Sequence, residues 1–134
     1  MDENVARTAF HEAGHVAASH RYGWDMLGVS RSKDFSGLTE SQPRRDGDAK
    51  ARAWERAVIC AVPSAHGGSR RCGVGDLDEV MRLVQKHGFK LSEVWDAASA
   101  LWDEPGFTKN VHRIAGALIR STSLTGDEIA ELLR

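Results

Sequence analysis

The chain has 134 residues, of which 41% are hydrophobic and 28% charged, and its formal net charge is -1. That length suits one hydrophobic core and not two, so a single domain over 1–134 is expected. The near-neutral charge removes the electrostatic case for nucleic acid or an anionic membrane surface as a partner.

The opening Met1-Asp2-Glu3-Asn4 has neither the basic nor the apolar part of an export signal, and no stretch has the apolar length of a membrane span. With no export signal, Cys60 and Cys72 read as free thiols, and a cytoplasmic protein is expected. Cys60 lies in the apolar run Ala57–Val62 and reads as core packing. The basic doublets Arg44-Arg45 and Arg70-Arg71 are followed closely by acidic residues and read as solvated loop charge.

In chain order, near-helical spacing of Val5, Phe10, Ala13, Val16 and Ala17 predicts a helix from about Glu3 to Tyr22, stopped by Gly23. Met26–Ser30 and Gly37–Ser41 are candidate strands that can pair around the polar turn Lys33–Ser36. A polar loop from Pro43 to Asp48 leads to a helix from Ala49 to about Ala61, which Pro63 is expected to end or kink. Gly67–Gly75 is the most glycine-rich stretch. After it the pattern predicts helices over Asp76–His87, Ser92–Asp103, Pro105 to about Arg120, and Thr125–Leu133. Trp95, Trp102 and Phe107 in these last helices read as core. The fold class expected is mainly α, with one small hairpin or sheet.

Chemistry concentrates in His11-Glu12-Ala13-Gly14-His15, well inside the first helix. Imidazoles four residues apart stand one turn apart, about 6 Å along the axis, on one face, so both can bind one ion. Zinc takes neutral imidazole, and its catalytic sites use three protein ligands and keep a fourth position for water. Glu12, next to the first ligand, is placed to act as general base toward that water. Gly14 costs a helix up to about 1 kcal/mol relative to Ala, so close approach of another segment or of a substrate is expected there. The third ligand must come from elsewhere; Asp76, Asp78, Glu79, Cys72, His66 and, more remotely, Glu40 are candidates. Asp76 followed three residues later by Glu79 also reads as a helix N-cap with its capping-box partner. His20, His87 and His112 have no partner at ligand spacing and read as structural or exposed.

Thr8-Ala9-Phe10-His11-Glu12-Ala13-Gly14-His15-Val16 resembles the segment that opens the peptidase domain of FtsH-type ATP-dependent zinc metalloproteases. The likeness continues collinearly. Ser36-Gly37-Leu38-Thr39 resembles the family's Leu-Gly-Tyr-Thr strand, and Ile59–His66 falls where its Ala-rich helix ends in Glu. Gly73-Val74-Gly75-Asp76-Leu77 resembles the Gly-Ala-x-Asn-Asp-Leu segment, and Leu124-Thr125-Gly126-Asp127-Glu128-Ile129 resembles the closing helix. The resemblance implies zinc held by His11, His15 and Asp76, with Glu12 as the catalytic base. Capping by Asp76 is compatible with that role, because its two carboxylate oxygens can serve different partners.

The chain departs from the family where Gly75 replaces an Asn and His66 a Glu, and it contains no phosphate-binding G-x-x-x-x-G-K-[ST] loop. The expected activity is zinc-dependent endopeptidase action on flexible or unfolded polypeptides, with a separate ATPase or adaptor needed for folded ones; a monomer and a small oligomer suit the sequence equally. The alternative is a catalytically silent, peptidase-derived binding or regulatory module that keeps the metal site. A third possibility is a purely structural zinc whose shell Cys72 or His66 closes.

Overall fold

A computed structural model describes residues 3–31, 37–43, 47–65 and 74–134. Among these the order is α1 (Glu3–Arg21), β1 (Asp25–Arg31), β2 (Gly37–Gln42), α2 (Ala49–Ala65), α3 (Val74–His87), α4 (Leu91–Trp102), α5 (Phe107–Ser121), β3 (Ser123–Thr125) and α6 (Gly126–Leu132). The protein is thus mainly helical with one small antiparallel sheet, as the periodicity predicts. Among the described residues no helix is long and apolar enough to cross a membrane.

Helix α1 is the central element, packed against α5, α2 and the sheet. Ala9, Ala13, Val16, Ala17 and Ala18 are all buried, and their small side chains let neighbouring helices approach closely. Gly23, with φ +75°, ends the helix in the left-handed conformation that glycine adopts without strain. The Trp24 N–H then reaches back to the Ser19 carbonyl at 2.9 Å. Opposite α1, helix α5 buries Phe107, Val111, Ile114, Ala115 and Leu118, a stripe at i, i+4, i+7, i+8 and i+11 that faces the core.

The sheet order is β2-β1-β3, with β1 in the centre. Strands β1 and β2 pair antiparallel as expected, Val29 opposite Thr39 and Ser30 opposite Leu38, with an irregularity between Met26 and Gly28. The turn predicted over Lys33–Ser36 lies outside the described residues. Strand β3 was not anticipated: Ser123–Thr125 adds to the other side of β1, with Leu124 opposite Val29. Three residues are too short to show an alternating pattern, and only their pairing makes them a strand. Gly126, directly after β3, packs so tightly that a Cβ there would collide with the Met26 carbonyl.

Three further boundaries differ from the sequence expectation. Helix α2 continues through Pro63 to Ala65, because packing holds the last turn although proline removes one of its hydrogen bonds. Helix α5 begins at Phe107 and not at Pro105: Pro105 and Gly106 form a turn, with Gly106 at φ +84° as the residue before the helix. Thr125 stands outside α6 as its N-cap, in a capping box with Glu128. Phe107 is buried, while Trp95, Trp102 and Cys60 are partly buried against the core.

Candidate metal centre

Helix α1 carries both histidines on its buried side. His15 is 7% exposed and Glu12 is 5% exposed; His11, one turn earlier, is half-buried. Their rings meet edge to face with centroids 4.9 Å apart, and the two Nε2 atoms are 3.2 Å apart. His11, Glu12 and His15 offer ligand atoms that all lie within 4.8 Å of one another, a group that can hold a metal ion.

Helix α3 brings Asp76 onto the same point. Its Oδ2 is 2.8 Å from His11 Nε2 and 3.1 Å from His15 Nε2. By comparison, Glu12 Oε2 is 3.9 Å from His11 Nε2, so the three atoms that converge most closely come from His11, His15 and Asp76. A tetrahedral ion with ligands at about 2.0–2.1 Å separates those ligands by about 3.3–3.4 Å from one another. The observed triangle of 2.8, 3.1 and 3.2 Å is within about 0.6 Å of that edge on every side. The donor set, two imidazoles and a carboxylate, is one that fits such an ion.

The protonation pattern points the same way. His15 Nδ1 lies 2.9 Å from the Ile59 carbonyl oxygen, which can only accept, so Nδ1 carries a proton and donates it. In the neutral ring, Nε2 then presents its lone pair to the triangle. Acceptor atoms facing each other across about 3 Å need a hydrogen or a metal ion between them, and the His11 ring or a bound ion can supply it. In the metal-free protein burial disfavours the charged His15 ring. The hydrogen bond and charge of Asp76 outweigh that burial, helped by Glu12 and the Ile59 carbonyl, and raise its pKa above the ordinary value. Burial likewise pushes the Asp76 carboxyl upward, but hydrogen bonds and charge from His11 and His15 prevail and hold it well below the usual carboxylate range.

Glu12 sits beside this triangle. Its Oε1 accepts a hydrogen bond of 2.9 Å from the Thr39 hydroxyl on β2, while Oε2 is the oxygen nearer His11. Thr39 and the Ile59 carbonyl were not singled out in the sequence as site groups. For Thr39 nothing in the chain before folding links it to Glu12; for Ile59 the signal was a proline four residues later.

Among the described residues, the other ligand candidates are not brought to this point. Glu79 pairs with Arg82 at 2.7 Å, Asp78 is exposed, and Glu40 is exposed on β2, next to Thr39 and so on the opposite face of the strand. Cys72 and His66 lie outside the described residues. The capping role expected for Asp76 is not observed: α3 begins at Val74, so Asp76 lies inside its first turn and its carboxylate turns to the histidines. Glu79, the expected box partner, is held by Arg82 instead. Of the remaining histidines, His87 stacks on Phe89, His112 meets Phe10 edge to face and His20 is exposed. Comparison with models of known protein families finds no match, and comparison with curated proteins finds none either.

Proposed function

We propose that this protein is a zinc-dependent endopeptidase that hydrolyses flexible or unfolded polypeptides, with His11, His15 and Asp76 as metal ligands and Glu12 as general base. The observation that carries the reading is the convergence of two Nε2 atoms and one carboxylate oxygen at tetrahedral spacing, with a fourth side chain, Glu12, adjacent but farther out. Two imidazoles and a carboxylate are the ligand types of catalytic zinc, and three protein ligands leave one position open. The collinear resemblance to FtsH-type peptidase domains supports the same assignment of the four residues.

Zinc bound there would supply the Lewis acidity that polarises a scissile carbonyl and acidifies water. Glu12 takes the proton from the attacking water and delivers it to the leaving amine nitrogen. The Thr39 hydroxyl steadies the carboxylate in that position through Oε1, which leaves Oε2 for the proton. Among the described residues strand β2 is the outer strand of the sheet, paired on one side with β1, so its other edge can offer backbone N–H and C=O groups to an extended chain. Binding through backbone groups suits cleavage with little dependence on sequence. Folded substrates would require a separate ATPase or adaptor to unfold them.

The test is metal content together with cleavage of an unfolded polypeptide, for the wild-type protein and Glu12→Gln. The expected result is about one zinc per chain in both, and turnover lowered about 10²–10⁴-fold in the variant. A zinc-loaded wild type as inactive as the variant across many unfolded substrates removes the peptidase reading and leaves a metal-binding module without turnover.

A further inference from the structure

Helix α2 carries a proline within its last turn: Pro63 is followed by Ser64 and Ala65, both helical. A proline inside a helix has no N–H for the carbonyl four residues earlier, and its ring pushes that carbonyl away from the helix axis. Four residues before Pro63 is Ile59. The Ile59 carbonyl is the one that accepts the His15 Nδ1–H at 2.9 Å. Ile59 is buried, so water is a poor substitute and an unpartnered carbonyl there would be costly. The helix irregularity and the imidazole hydrogen bond are thus two halves of one arrangement.

The packing of α1 on α2 makes the arrangement possible. A Cβ at Gly14 would lie 3.2 Å from Pro63 Cγ, 3.5 Å from its Cα and 3.6 Å from its Cβ. The two helices therefore touch backbone to ring at Gly14 and Pro63. That contact carries the next residue of α1, His15, to the carbonyl one turn earlier on α2. The cost of glycine in the middle of α1 finds its reason here, in helix approach.

We propose that Pro63 is a positioning residue: by withholding an N–H from the Ile59 carbonyl it reserves that oxygen for His15 Nδ1, and so fixes the orientation and tautomer with which His15 Nε2 faces the metal. The metal part of this inference rests on the reading proposed above; the hydrogen-bond part does not. Partners of this kind, one shell out from a metal, orient the ring and raise the basicity of the ligating nitrogen. Pro63 touches neither metal nor substrate and acts through the backbone of its own helix.

Pro63→Ala tests it. Alanine restores the N–H, which competes for the Ile59 carbonyl, and also repairs the helix, so the variant is expected to melt no lower than wild type. The first measurement is exchange of the His15 Nδ1–H with water in the metal-free protein, by NMR. That proton is present in both the neutral and the charged ring, and it should exchange roughly 5–10-fold faster in the variant. The second is zinc affinity by competition with a chromophoric chelator, expected to fall about 10–100-fold.

Losing the Pro63 ring also loosens the contact with Gly14, so the double variant Gly14→Ala/Pro63→Ala is the control. The methyl group that Gly14→Ala introduces occupies the space that the proline Cγ leaves. If the restored N–H is the cause, the double variant keeps both defects; if lost packing is the cause, it recovers them and the proposal is wrong. Wild-type exchange and wild-type affinity in Pro63→Ala also overturn it. Should the single variant fail to fold, the double variant, with its gap filled, is compared with Gly14→Ala. A wild type that binds no zinc but shows the same exchange difference removes the metal centre and keeps Pro63 as the residue that orients His15.

Discussion

Replacing Thr39 by valine removes one hydroxyl and little else. Valine keeps the branched Cβ and suits a strand as well as threonine does, so β2 should hold its register with residue 39 opposite Val29. What disappears is the 2.9 Å bond from the hydroxyl to Glu12 Oε1. Glu12 is only 5% exposed, so water does not freely replace the donor. A hydrogen bond to a charged group contributes about 1.5–3 kcal/mol. If that were lost entirely from the orientation in which Glu12 receives a proton, the rate would fall by a factor of about 10–150. Helix α1 still holds the carboxylate from its backbone side, so a fall in kcat of about 10–50-fold is expected, with KM changed less than about threefold. The assay is steady-state cleavage of a labelled unfolded polypeptide by zinc-saturated protein, with kcat and KM resolved. Metal content should not change, because Thr39 touches no ligand atom of the triangle, and Thr39→Ser, which retains the hydroxyl, should recover most of the rate. A valine variant within about twofold of wild-type kcat, or a serine variant as impaired as valine, would refute the claim that this hydroxyl orients the base.

Other expectations bear on the ligands and on the frame around them. Asp76→Asn removes the charge while keeping the shape, and zinc affinity measured by chelator competition should drop by more than about 100-fold, beyond the range of an outer-shell partner; a drop under about tenfold would take Asp76 out of the ligand set. For pH, the folded pKa of His15 lies above its ordinary 6.5, so the stability it contributes is complete below that value and is lost as pH rises through the folded pKa. Asp76 is depressed below its ordinary 3.8, so its contribution is present above that value and lost as pH falls through the folded pKa. The metal-free protein should therefore draw most stability from this pair between the two ordinary values, and the wild-type minus His15→Gln difference in melting temperature should shrink from pH 6 toward pH 9; growth of that difference would contradict the sign. Zinc should reverse the trend, since its ligands must be deprotonated. Arg31 donates to the Leu118 carbonyl at 2.6 Å and the Ile119 carbonyl at 2.9 Å, in the last turn of α5, so Arg31→Met should cost about 1.5–3 kcal/mol and lower the melting temperature by roughly 5–12 °C. Lysine at 31 should recover only part of that, having a charge but no planar fork.

How much of this was legible before folding divides along the range of the physics. The HEAGH spacing, the helical periods and the Gly23 stop are set within a few residues, where side-chain chemistry and backbone geometry act directly, and α1 through α6 follow them to within a few residues at each end. The relation of His11 to His15 needed nothing more than the helical repeat. Asp76 is 65 residues from His11 along the chain, and its local sequence favoured a different role, the cap of its own helix. Only packing of α3 against the rest of the fold turned its carboxylate onto the histidines, and Glu79, freed of the box, went to Arg82. Thr39 reached Glu12 because β2 pairs with β1, which in turn packs on α1. Pro63 could be read as a helix breaker from its chemistry alone; that α2 would run through it, and hand the released Ile59 carbonyl to His15, depended on a neighbour helix close enough to accept the exchange. The sequence by itself therefore determined two imidazoles and a carboxylate close together on one helix, because those share four consecutive peptide bonds. The third converging atom, Asp76 Oδ2, the donor to Glu12 and the carbonyl behind His15 were decided by tertiary structure, because each belongs to a segment whose distance from α1 is set by burial of the core and not by any local rule.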